Sequence, residues 1–324
     1  MADGTPRYPA DAARSFQAPD QSAARLLQDE STLSILNIVY SQEAQRLDSF
    51  DPEQGIGRYT VPHALTSRLQ NMSYLNGLSK RPDGSEAGVV DYTLDHAPGH
   101  FRPEIGTVVP GVAAIRSSYE TLARSGLKKE GYPEDFPSML TGFNSIRFKN
   151  AVLPGNRVLY VPSNIQTDTE LFSGEIRGDI TGQTSDKETI EIKGLRVMVP
   201  DHPTMRERVL PGSELFEVGA HALLAHMFSG RDQELLDDQG MPRVLPLFVG
   251  LGETEIYQNV FAGDELEVYT DIKRPLKALT GVVQADIRIV RGQELILTSS
   301  NVTGMSEWRE KALQKFGLSS GQAA

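Results

Sequence analysis

One glutamate stands inside a run that otherwise reads as a buried helix: Glu217, in Pro211-Gly212-Ser213-Glu214-Leu215-Phe216-Glu217-Val218-Gly219-Ala220-His221-Ala222-Leu223-Leu224. An unpaired carboxylate in an apolar setting is costly, so one found there is usually paired, protonated or engaged in chemistry. At helical spacing Glu217 and His221 share a face, one turn apart. The chemistry open to such groups is proton transfer. A lone glutamate is more often a solvent-facing partner of a cation, so these two residues by themselves decide nothing and the rest of the chain must.

The 324 residues suffice for one large domain or two fused smaller ones. No apolar run is long enough to span a bilayer, and the N-terminus lacks a secretory pattern, which together imply a cytoplasmic protein without a membrane partner. The absence of cysteine excludes disulfides, thiolate metal sites and a cysteine nucleophile. A net charge of −11 argues against binding nucleic acid, which needs a basic field. His96 and His100 lie four apart, but Pro98 and Gly99 between them break the helix that would align them on a metal, and no metal site is expected. No glycine-rich loop sits between a strand and a helix to cradle a nucleotide.

Residues 1–27 are poor in large apolar side chains and read as a mobile tail. A helix is expected over Leu33–Tyr40, and Asp51-Pro52-Glu53-Gln54-Gly55 reads as a turn. Beyond residue 88 the chain repeats itself. A helix opens on Pro110-Gly111 and another on Pro211-Gly212, and the strand-and-turn segments 142–156 and 250–264 align without a gap. Long β-type runs follow each, and Arg291-Gly292-Gln293 bridges two alternating strands as a hairpin turn. A central helix followed by an antiparallel meander, twice over, is an α+β design in which each sheet wraps a helix. The units expected are 28–195, carrying an N-terminal extension, and 196–324.

The stretch Asp91-Tyr92-Thr93-Leu94-Asp95-His96-Ala97-Pro98-Gly99-His100-Phe101, followed by Val109-Pro110-Gly111-Val112, resembles the β-hydroxyacyl-acyl-carrier-protein dehydratases of the FabA/FabZ type. The resemblance covers roughly residues 88–305 and implies the hot-dog fold, here as a double hot dog like that of polyketide-synthase dehydratase domains. In that family the catalytic histidine lies in a Gly-His-Phe step before the central helix, which puts it at His100. The catalytic carboxylate lies one and a half turns into the partner unit's helix, where this chain has Arg116 in the first copy and Glu217 in the second. The resemblance therefore implies one live site, divided between His100 and Glu217, and one degenerate site. Two positions depart from the family: Glu217 stands where aspartate is commoner, and the stretch from His100 to Pro110 is two residues longer.

Loss of water from a 3-hydroxyacyl thioester needs a base for the C2 proton and an acid for the hydroxyl. Neutral His100 fits the base and a protonated Glu217 the acid. Amides of Gly111 or Val112 at the helix N-terminus are the natural donors to the enolate oxygen. His221 either orients Glu217 or is an ordinary hydrogen-bonded helix residue, and Phe101 is a wall residue. The implied partners are an acyl carrier protein or a CoA thioester, with no further cofactor, in fatty-acid or polyketide biosynthesis. Docking of an acidic carrier would use basic residues such as Arg102, Lys128, Lys129, Arg147 and Lys149. The chain would be a monomer with an internal pseudo-dimer, or a homodimer. A hot-dog thioesterase, an enoyl hydratase or isomerase, and a non-catalytic acyl-binding protein are the other readings.

Overall fold

A computed structural model describes residues 47–63, 74–93, 101–102, 106–107, 109, 111–131, 138–168, 174–199, 209–238 and 242–315. The expected tail, the Leu33–Tyr40 helix and His100 lie outside the described residues. The first elements are two hairpins, β1 (Ser49–Asp51) with β2 (Ile56–Thr60) and β3 (Gly77–Lys80) with β4 (Glu86–Asp91). Short strands β5 (Phe101–Arg102) and β6 (Gly106–Thr107) lead to helix α1 (Gly111–Lys129). Then come β7 (Met139–Phe143), β8 (Ser145–Phe148), β9 (Arg157–Asp168), β10 (Gly174–Gln183) and β11 (Glu188–Val199).

The second half repeats this order. It runs β12 (Val209–Leu210), α2 (Glu214–Phe228), a single turn α3 (Asp232–Leu235), β13 (Val244–Leu251), β14 (Thr254–Ile256) and β15 (Val260–Phe261). The strands β16 (Glu265–Arg274), β17 (Gly281–Arg291) and β18 (Glu294–Trp308) and helix α4 (Arg309–Lys315) complete it.

The strands form one antiparallel sheet in the order β1-β2-β16-β17-β18-β13-β8-β11-β10-β9-β4-β3, with β7 and β14 pairing off this path. Its two halves meet where Gly250 and Leu251 of β13 pair with Arg147 and Ile146 of β8. The α1 helix packs on β4, β9, β10 and β11, and α2 on β1, β2, β16 and β17, so each half-sheet wraps one helix. This is the double hot-dog fold. The repeat extends to backbone detail, for Gly155 (φ 91°) and Gly263 (φ 87°) occupy the same place in the turns before β9 and β16.

The two central helices are buried by different means. In α2 the residues are mostly apolar, whereas α1 buries Ser117, Ser118 and Thr121. Each of those hydroxyls donates to the carbonyl four residues earlier, at 2.9, 2.7 and 2.7 Å, which satisfies it without water. Tyr92 and Tyr160, joined at 2.6 Å, complete this polar seam under the first sheet, and burial pushes both phenols up.

The first hairpin does not belong to the unit that follows it in sequence. Strand β2 pairs with β16, with Tyr59 opposite Leu266, so residues 49–60 form the outer edge of the second half, as β3 and β4 form that of the first. Strand β11 also runs through the expected boundary between 195 and 196. Edge pairing explains the exchange, since β16 would otherwise present an open row of backbone groups. Leu47, Tyr59 and Val61 are buried in the process. Removing residues 1–60 is therefore expected to cost on the order of 5 kcal/mol or more, at about 1.5–3 kcal/mol per large buried side chain. Urea unfolding of the truncated chain checks this: an unshifted midpoint would contradict the exchange.

Candidate functional site

Helix α2 presents Glu217, Ala220, Leu224 and Met227 along one stripe to a cavity of about 490 Å³. The N-terminus of α1 closes one side with Gly111 and Ala114, and Phe148, Leu247 and Phe248 cover it from the junction of the half-sheets. Lys149, Asn150 and Lys315 lie exposed on its rim. Glu217 is the one carboxylate among the described residues lining this space, and it is half-buried rather than buried. The fully buried carboxylate of α2 is Glu214, one turn earlier. Gly111 and Glu217 both line this cavity, while Val112 is buried in α1 beside it. The first amides of any α-helix lack a carbonyl partner within it and are the kind of donor an oxyanion takes.

His221 is buried and is absent from the cavity wall. Its Nδ1 accepts the backbone N–H of Leu47 at 3.2 Å, so the neutral ring carries its proton on Nε2. This ties α2 to the segment that leads into the first hairpin. Replacing His221 with alanine strands a buried N–H and is expected to cost about 1–3 kcal/mol. Urea unfolding reads that loss. A parallel fall in turnover per folded molecule would assign His221 the orienting role as well. Of the remaining expected positions, Phe101 lies in the backbone of β5.

The pseudo-symmetric position of Glu217 is Arg116, and its surroundings differ completely. Arg116 is 5 % exposed, its Nε lies 3.1 Å from Oε1 of Glu120, and its guanidinium stacks over Tyr74 with 5.3 Å to the ring centroid. Burial disfavours its charge, but Tyr119, Glu120, Tyr74 and Glu214 around it outweigh that and raise its pKa. Sequence reasoning found Arg116 but not the cluster, although the four-residue spacing of Arg116 and Glu120 was a visible sign.

Three small residues open the cavity, and their counterparts are large. Ala114 corresponds to Leu215 and Ala220 to Tyr119, both counterparts being buried. Gly304 pairs with Phe248 as Val197 pairs with Leu140, and Val197 is fully buried. Among the described residues, one side of the pseudo-dimer therefore opens beside a carboxylate, and the other buries larger side chains beside an arginine.

The expected carrier-docking patch is not one surface. Phe148 abuts the start of α1, where a Cβ on Gly111 would come within 3.0 Å of its ring, whereas Lys128 and Lys129 lie about 26 Å away at the far end of that helix. Lys128 is paired with Glu86 at 2.7 Å and Lys149 with Glu188 at 2.8 Å. No group of three or more His, Cys, Asp or Glu among the described residues could hold a metal ion. No helix among them is long and apolar enough to cross a membrane.

Fold and site together define a double hot-dog protein with an open, acid-bearing cavity among its described residues. No protein-family model and no curated protein matches the sequence. Among solved structures, the chain is similar to the dehydratase domain of the polyketide PpsC from Mycobacterium tuberculosis. The identity is 11 %, over 74 % of this chain and 99 % of that one, with a TM-score of 0.42. It is similar also to the dehydratase domain of RzxB from Pseudomonas fluorescens, at 11 % identity over 71 % and 98 %, TM-score 0.42. A putative oleoyl thioesterase from Lactobacillus plantarum matches at 10 % identity over 68 % and 93 %, TM-score 0.40. Nothing about what this chain acts on follows from likenesses of that degree; the fold stands on the strand order and register.

Proposed function

We propose that this protein is a dehydratase that removes water from a 3-hydroxyacyl thioester, carried on an acyl carrier protein or CoA, to give the enoyl thioester. The observation that carries the reading is that Glu217 opens, as the one carboxylate among the described lining residues, onto an apolar cavity shared with the N-terminus of α1. His100 belongs to the segment that leads into that same helix.

In this reading neutral His100 takes the proton from C2. The electron pair left behind forms the C2–C3 double bond as the C3–O bond breaks, and Glu217 donates the proton with which the hydroxyl leaves as water. Charge that develops on the thioester oxygen meets the N–H groups of Gly111 and Val112 and the positive end of the helix. The proton gained by His100 then reaches Glu217, directly or relayed through water, which restores both groups. Apolar walls beyond Glu217 accommodate the acyl chain, and the pantetheine arm enters from the rim. Fatty-acid or polyketide-type biosynthesis in the cytoplasm is the setting such a substrate implies.

Incubation of the full chain with a 3-hydroxybutanoyl-pantetheine thioester, followed by mass spectrometry, tests the proposal. Loss of one water with the thioester intact is the expected product. Release of free thiol with the hydroxyl retained would instead identify a thioesterase, and no conversion would leave an acyl-binding protein.

A further inference from the structure

We propose that Gly304 sets the bore of the cavity's apolar end and so the length of acyl chain the protein accepts. The inference rests on the reading of the cavity as an acyl-thioester site. Gly304 lies within β18, paired with Phe248 of β13, and both residues line the cavity. Its backbone does not require glycine, because its φ is not among the positive values found in turns such as Gly263 and Gly292. A glycine inside a strand gives up packing and ordering free energy and commonly marks a bulge or the close approach of another group; the register irregularity here falls on β13, between Phe248 and Gly250, and Gly304 itself keeps its pairing with Phe248. At Gly304 a Cβ would point inward, 3.0 Å from Cγ1 of Val283 and 3.9 Å from Cδ2 of Leu223, both of which also line the cavity.

The pseudo-symmetric half supplies the control experiment within the molecule. There Val197 occupies the equivalent place, and the corresponding space is closed. Ala114 and Ala220 make room beside Glu217, where the reacting carbons would lie. Gly304 instead makes room next to Leu223, beyond the acid along α2. A side chain at 304 therefore shortens the channel while leaving Glu217 and the α1 N-terminus untouched.

The test compares binding of saturated butanoyl- and decanoyl-pantetheine thioesters, which cannot be dehydrated, to wild type, Gly304→Ala and Gly304→Val by calorimetry. Gly304→Val is expected to weaken decanoyl binding about tenfold or more, with Gly304→Ala between it and wild type, and to leave butanoyl binding unchanged. Equal weakening of both ligands, unchanged decanoyl binding, or a wild type that binds neither would overturn the proposal. Should Gly304→Val fold poorly, Gly304→Ala alone serves in its place, with the same selective weakening of decanoyl binding at smaller size and butanoyl binding again unchanged. A wild type that binds both ligands by chain length but turns over no 3-hydroxyacyl thioester would keep the bore and remove the dehydratase.

Discussion

Replacing Glu217 with glutamine is expected to lower kcat by about 10²–10⁴-fold, the usual contribution of a positioned acid or base. Glutamine keeps the shape and hydrogen-bonding reach of the side chain but has no proton to give the leaving hydroxyl. The stability of the variant should be close to wild type, because Glu217 is half-buried at a cavity wall and the interior charge of α2 is Glu214. KM should change little, since the loss falls on the step and not on the grip along the chain. Single-turnover kinetics beside urea unfolding separate the two effects. A variant with full kcat would remove Glu217 from the chemistry.

The second large effect is expected from closing the cavity with a residue the protein already uses for that purpose. Ala220→Tyr places at the open side the side chain that stands at its counterpart, Tyr119. Each methylene excluded from an apolar site forfeits about 0.8 kcal/mol, so displacing three or four weakens a long-chain ligand by about 100-fold. Ala220→Leu should give a smaller loss in the same direction. Calorimetry with a saturated decanoyl-pantetheine thioester reads both losses. Ligand affinity that survives both substitutions would place the binding site elsewhere.

What could be read in advance divides along physical lines. The repeat was legible because it is local: two Pro-Gly helices and a pair of segments that align residue for residue, with glycine in the left-handed region at the same turn in both. The placement of the first hairpin was not, because the pairing of β2 with β16 joins residues some two hundred positions apart, and alternation within a short strand does not name its partner. Helical periodicity put Glu217 on the inward face but could not tell a cavity wall from packed core, since both are lined by the same apolar residues. Comparing the two copies resolves that question. Ala114 against Leu215 and Ala220 against Tyr119 show which side is hollow, and those differences stand in the sequence alone. His221 was legible as a partner on the face of Glu217, yet its Nδ1 is engaged by Leu47, a contact no spacing rule anticipates.

The burial of Arg116 gives the same asymmetry an energetic form. A guanidinium held among Glu120, Glu214 and two phenols is costly to leave unpaired, so the filled half is kept filled by its own charges. The open half has no such cluster among its described lining residues and leaves its one carboxylate facing the space.

The central claim is that His100 and Glu217 serve one divided site. The most direct measurement is kcat on a single 3-hydroxyacyl thioester for wild type, His100→Ala, Glu217→Gln and the double variant. Residues that act as a unit give a double variant no slower than the slower single one. That is the predicted result, with each single variant reduced by at least about 100-fold. Losses that multiply, or a His100→Ala variant with full activity, would contradict it.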